Sequence, residues 1–390
     1  MLLTKTKDIH LRNEREAALA EKFDEVAKQL ESYATENDER GMFPFASFNI
    51  LREAGFFSLT IPEKYGGYEA SLYEMTLVLE RLAKGDGAVA LAAGWQSCLF
   101  LNYREGNRWK EEVFAKVCQG VVQNGDILNI FATEKKGGNI FRGSQPETIA
   151  RKTANGYLIS GEKTFATLAP IADPLIVMAW VEEEGVLGEF LVRKSDKVVV
   201  KETWNTIGMR STGSDTIVLN EVFVPEEALL AKATGKDGGL KNRSTFLFIA
   251  SVFLGVAHAA RDFIIDFAKH QQAGSLKKPI AEVPHIQQKI GEMEISLTTS
   301  RTLLYSLADK WDRFPHQRND LLNDFQAAKY TICHQAIRIV ELAMRVAGGR
   351  GLSKDFKLER LFRDVQCGLS MHPADDMIVE GLAKAALFSE

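Results

Sequence analysis

The chain has 390 residues, 45% of them hydrophobic and 26% charged, with 48 Lys plus Arg against 52 Asp plus Glu and a formal net charge of -4. That length and composition describe a folded globular chain of two or three domains and exclude a disordered one. The charge balance supplies no basic face for phosphate neutralisation, so nucleic acid is excluded as a partner.

The opening stretch, MLLTKTKDIHLRNEREAALAEKF, is charged throughout and holds no apolar stretch of the secretory kind. No uncharged apolar run reaches membrane-spanning length. The best candidate, Phe246 to Ala257, reads as a buried core helix. The expectation is a cytoplasmic protein with no membrane partner. Cys98, Cys118, Cys333 and Cys367 lie far apart without a C-x-x-C pair, as reduced, buried thiols do. The seven histidines show no ligand spacing, so no metal site is expected.

In chain order, Leu19, Phe23, Val26, Leu30 and Tyr33 recur at helical spacing and form one apolar stripe. Phe45 to Ala54 and Leu72 to Ala83 show similar spacing, separated by Ile61-Pro62-Glu63-Lys64-Tyr65-Gly66-Gly67, where Pro and paired Gly stop regular structure. From Ile130 to Val224 the period changes. Asn155-Gly156 signals a tight turn, and Pro174 to Val181, Lys197 to Val200 and Asp215 to Val224 are short strand-like runs. From Ser244 the helical period returns. Leu322, Phe325, Lys329, Ile332, Ala336, Ile339, Ala343 and Val346 form one long face that stops at Gly348-Gly349. Three long helices and a shorter terminal one suggest a bundle. The fold class is therefore α+β, with an N-terminal α-helical domain over 1–125, a central antiparallel β domain over 126–235 and a C-terminal four-helix bundle over 236–390.

Six segments, in order, resemble the acyl-CoA dehydrogenase family: Ile61 to Gly67; Phe131-Ala132-Thr133-Glu134; Gly161-Glu162-Lys163-Thr164-Phe165-Ala166-Thr167; Gly208-Met209-Arg210-Ser211-Thr212 with Val222 to Pro225; Ala347-Gly348-Gly349-Arg350-Gly351; and Glu359-Arg360-Leu361-Phe362-Arg363-Asp364. The resemblance implies an FAD-dependent oxidoreductase of acyl-CoA thioesters, active in fatty acid metabolism. It implies that Thr133 and Thr167 hydrogen-bond the isoalloxazine ring, that Phe131 borders it, and that Phe165 packs beside it where tryptophan is usual. Small hydroxyl partners suit a ring edge whose face must stay open. It places the FAD tail of a neighbouring subunit against Gly348 and Gly349, where the chain can approach closely. Arg345, in place of the usual glutamine, is either a phosphate partner or a solvated helix-end cation. Glu134 and Asn139 are expected on the substrate side. A homotetramer or homodimer is expected, with an electron-transfer flavoprotein or a flavin reductase as partner.

Three positions depart from the family pattern. The flavin segment continues as Lys135-Lys136-Gly137-Gly138-Asn139, where the usual serine is Asn139. The Arg-x-x-Phe-Gly loop is replaced by Gln271 to Ile280, leaving Lys277 or Lys278 as substitutes without an arginine's fork. The catalytic glutamate that resemblance implies nine residues after Arg363 is His372, and the alternative position is Thr245. His372 is read as a general base, as a participant in oxygen chemistry like that of hydroxylating relatives, or as a turn residue before Pro373. Asp375 and Asp376 read as helix-capping carboxylates, or as the base if the register slips. The leading expectation is α,β-dehydrogenation of an acyl-CoA. The alternatives are a reduced-flavin-dependent monooxygenase and a non-catalytic acyl-CoA-binding relative.

Overall fold

A computed structural model describes residues 8–106, 109–136, 138–139, 145–233, 244–272, 274 and 277–388. The N-terminal part is helical, with α1 (Glu14–Arg40), α2 (Phe45–Glu53), α3 (Leu72–Gly85), α4 (Gly87–Gly106) and α5 (Glu111–Asn124). Local chemistry fixes these ends. Asn13 caps α1 through the Glu16 N–H, Gly41 closes it in the left-handed region, and Ser71 with Glu74 forms a capping box on α3. Asp86 accepts from Ala88 N (3.0 Å) and Val89 N (3.1 Å) and so starts α4. The stripe on α1 buries Leu19, Phe23, Val26 and Leu30, whereas Tyr33 stays 40% exposed at its edge.

Strands β1 (Ile130–Phe131), β4 (Ile149–Thr153), β5 (Gly156–Ala166), β6 (Leu175–Val181), β7 (Val186–Val192), β8 (Val198–Lys201), β9 (Asp215–Pro225) and β10 (Leu229–Ala233) build one sheet. Its order is β10-β7-β6-β4-β5-β9-β8, with β1 beside β6. β2 (Thr133–Glu134) and β3 (Gly138–Asn139) form a small hairpin of their own. The sheet is not wholly antiparallel, as its sequence suggested. β4 and β1 both run parallel to β6, through Ile149↔Trp180 and Ile130↔Ile176. Hydrophobic periodicity reports which face a residue takes and is silent on strand direction.

The C-terminal part consists of α6 (Thr245–His270), α7 (Pro284–Arg313), α8 (Leu322–Ala347), α9 (Lys357–Gln366) and α10 (Asp375–Phe388). Two short helices therefore follow the three long ones, where the sequence suggested one. α6 is the axis of the core. It packs on α3, α4, α7, α8 and α9, and Phe246 to Ala257 are all buried. By length and composition α6 is apolar enough to cross a membrane, but 72% of its most apolar window is enclosed within the protein.

Candidate active site

Two turns, one closing β5 and one preceding β9, meet at one corner. At the end of β5, Phe165 (φ 52°) and Leu168 (φ 73°) take left-handed backbone, and the Thr167 N–H donates to the Phe165 carbonyl at 2.9 Å. A bulky residue held there costs about 1–3 kcal/mol and persists only where its surroundings determine it. They do so here. Leu168 N donates to Thr212 O (3.3 Å) and Ala169 N to Gly213 O (3.1 Å), while Asn129 Nδ2 donates to Thr167 O (3.0 Å). The Thr167 hydroxyl lies 2.8 Å from the Ser214 hydroxyl, which lies 2.7 Å from that of Thr212. Phe165 itself is 67% exposed. The corner thus offers an exposed aromatic ring beside the half-buried Thr167, whose hydroxyl is linked to the buried ones of Ser214 and Thr212.

The hairpin of β2 and β3 packs on β5. It leaves Thr133 half-buried opposite Asn139; the Asn139 side chain lies outside the described residues. Glu134 is not on a substrate side. Its side chain is buried and accepts from Lys163 Nζ (2.5 Å), Thr148 N (3.0 Å) and Glu147 N. Burial pulls the Lys163 ammonium down to about 8 against the opposing pull of Glu134. Burial alone lifts the Glu134 carboxyl, but Lys163, with hydrogen bonds from Thr148 and the Glu147 N–H, outweighs it and leaves the carboxyl below its usual range. This pair fastens β2 to β5. Phe131 is likewise a core residue, 2% exposed, in a strand paired with β6.

The turn from Thr206 to Ser214 is clasped by α9. A side chain on Gly208 would meet the Arg363 carbonyl at 2.4 Å, so only glycine allows this approach. Met209 N donates to Asp364 Oδ1 at 2.6 Å, and Arg363 reaches Ile207 O (2.7 Å) and both carboxylate oxygens of Asp38 on α1 (2.5 and 3.0 Å). Burial lifts the Asp364 carboxyl to about 6, against the pull of Arg360. The motif from Glu359 to Asp364 is therefore a fastener of three parts of the chain.

His372 lies half-buried in the turn between α9 and α10. The turn before it rests on α6, since a side chain on Gly368 would meet the Phe253 ring at 3.1 Å. Asp375 opens α10 and is held from α8 by Lys329 Nζ (3.3 Å) and His334 Nε2 (2.8 Å). It works as a helix-start clasp. Thr245 is buried at the head of α6, with its hydroxyl 3.2 Å from Cys98 Sγ. Arg345, Gly348 and Gly349 are exposed at the end of α8, and nothing lies within 4 Å of a Cβ built on either glycine. Arg350 of this turn donates to Gln271, and Lys278 pairs with Glu282 at 3.5 Å. Sequence reasoning missed Ser214 and Trp204. A hydroxyl-rich Thr212-Gly213-Ser214 turn was the available signal for the first.

Three family profiles match the chain: the acyl-CoA dehydrogenase N-terminal domain over residues 13–120, the middle domain over 129–222 and the C-terminal domain over 247–373. The chain is 39% identical over 382 residues to YdbM of Bacillus subtilis (strain 168), a provisionally assigned acyl-CoA dehydrogenase, covering 98% of this chain and 100% of that one. It shares its fold with TdsC from Paenibacillus sp. A11-2 bound to FMN and indole (TM-score 0.85, 21% identity, covering 96% and 97% of the two chains). It likewise shares it with the methanesulfinate monooxygenase MsuC from Pseudomonas fluorescens (TM-score 0.83, 23% identity, 94% and 96%).

Proposed function

The chain belongs to the acyl-CoA dehydrogenase family, and on that premise we propose that it is an FAD-dependent oxidoreductase that desaturates an acyl-CoA thioester, with His372 as the base. The corner at Phe165 fits a flavin. An exposed aromatic ring, fixed in a strained backbone conformation beside the half-buried Thr167, whose hydroxyl the buried Ser214 and Thr212 hydroxyls orient, offers both a stacking surface and an edge donor. Thr133 and Thr167 would hold the ring edge, and Phe165 would pack beside it. Arg345, Gly348 and Gly349 form the open turn that suits the diphosphate tail of a neighbouring subunit in a homotetramer or homodimer. A bound flavin supplies a two-electron acceptor.

The observation that carries the choice of base is the placement of His372. It stands half-buried in the turn that rests on α6, whereas Thr245, at the alternative position, is a buried hydroxyl engaged with Cys98. A neutral imidazole takes an α-proton near neutral pH on one ring nitrogen. Rapid anaerobic mixing of the FAD-loaded protein with an acyl-CoA tests this reading. His372→Ala is expected to slow loss of the visible flavin absorption about 100-fold or more; an unchanged rate removes His372 from the reaction. The electron acceptor in this reading is an electron-transfer flavoprotein, and the setting is cytoplasmic fatty acid metabolism.

A second reading is favoured by the same substitution. Neither position 372 nor position 245 carries a carboxylate, and MsuC, which shares the fold, is a monooxygenase. In that reading a flavin reductase supplies reduced flavin and His372 serves oxygen chemistry. Oxygen consumption coupled to reduced flavin and a substrate, without thioester desaturation, is its signature.

A further inference from the structure

Phe165 and Met209 both sit at φ 52°, and the side chain of Trp204 joins them. The Trp204 ring meets Phe165 edge to face, with centroids 5.7 Å apart and planes at 78°. Its indole Nε1 donates to the Met209 carbonyl at 3.0 Å. The N–H of the same residue, Met209, donates to Asp364 Oδ1 at 2.6 Å. One line of contacts therefore runs from a buried carboxylate on α9, through the backbone of Met209 and the Trp204 indole, to an aromatic ring that is two-thirds exposed. Trp204 is only half-buried, so filling the core is not its main work. Its hydrogen bond and its ring contact both act on residues in strained backbone.

We infer that Trp204 is a positioning residue: it fixes the Phe165 ring against the flavin, and it is itself aligned from α9 through Met209, which Asp364 holds. This rests on the reading that Phe165 borders the flavin. An edge-to-face partner restrains a ring that is two-thirds exposed, and the indole N–H sets the angle of that partner. The exit turn and the end of β5 thereby act as one unit.

The test is a double-mutant cycle read by binding of FAD and, separately, FMN to the flavin-free protein, using flavin fluorescence and the shape of the visible absorption, with thermal unfolding as the folding control. Phe165→Leu and Trp204→Leu are each expected to weaken flavin binding roughly three- to tenfold, the size of one aromatic pair. The double variant is expected to bind no more weakly than either single one, because both remove the same contact. If Phe165→Leu leaves affinity and absorption unchanged, the flavin does not lie at this corner and the inference falls with that reading. If Phe165→Leu weakens binding while Trp204→Leu is neutral, or the two effects add, the flavin reading stands and the positioning role is overturned. Trp204→Phe keeps a ring without the N–H donor and serves if the leucine variant does not fold. An altered flavin absorption at an unchanged unfolding temperature supports the link through Met209, and an unaltered one removes it.

Discussion

Lys163 and Glu134 lie 2.5 Å apart with side chains 0% and 1% exposed. A buried pair of this kind adds little over an apolar pair of the same volume, but removing one partner strands the other charge. Lys163→Met is therefore expected to lower unfolding free energy in urea by about 3–5 kcal/mol, and adding Glu134→Gln to restore part of the loss. Asp364 behaves in the opposite sense. Its carboxyl is lifted by burial from 3.8 to about 6, so between those values the folded chain holds a proton that the unfolded chain has released. Its contribution to stability is complete below about pH 4 and is lost as pH rises through about 6. Asp364→Asn keeps an oxygen acceptor for Met209 N but removes the charge facing Arg360, so the expected signature is a shift with pH: its unfolding temperature relative to the native chain is higher above pH 7 than at about pH 4. A variant equally stabilised at both pH values contradicts this account.

Among the elements, the contact of α3 with α6 depends on one missing side chain. A Cβ on Gly255 would lie 2.3 Å from the Glu80 carbonyl and 2.7 Å from the Ala83 Cβ. Alanine is intrinsically the better helix former, but here the two helices must separate to admit it. Gly255→Ala is expected to cost about 2 kcal/mol or more in chemical unfolding; a neutral effect shows that the helices yield. Most elements were legible because they bury one face. The α8 residues from Phe325 to Val346 that step at helical spacing are all buried, and Asn155-Gly156 turns β4 into β5. α4 was not legible. Val89 to Gly94 are buried on every side, so its sequence carries no polar face to set a period. Strand direction in the sheet was hidden for the reason given by β1, β4 and β6: a run of apolar residues is the same whichever way its neighbour runs.

At the scale of the whole molecule, six short segments give the family and the order of its parts, but the roles within those segments depend on burial that sequence does not report. Thr167 and Phe165 do meet at an open corner. Phe131 and Glu134, from an equally suggestive segment, turn inward to the core and to Lys163. Arg363 and Asp364 hold α1, the exit turn and α9 together, a structural role for that motif. That His372 stands where the family resemblance implies a carboxylate is a reading of the sequence. Its consequence is a matter of reaction and is settled by reaction. Anaerobic titration of the FAD-loaded protein with a panel of acyl-CoA thioesters, following the visible flavin absorption, tests the central claim most directly. Bleaching by at least one thioester is the predicted result. A flavin that stays oxidised with every thioester, yet is reduced by dithionite, contradicts the dehydrogenase reading.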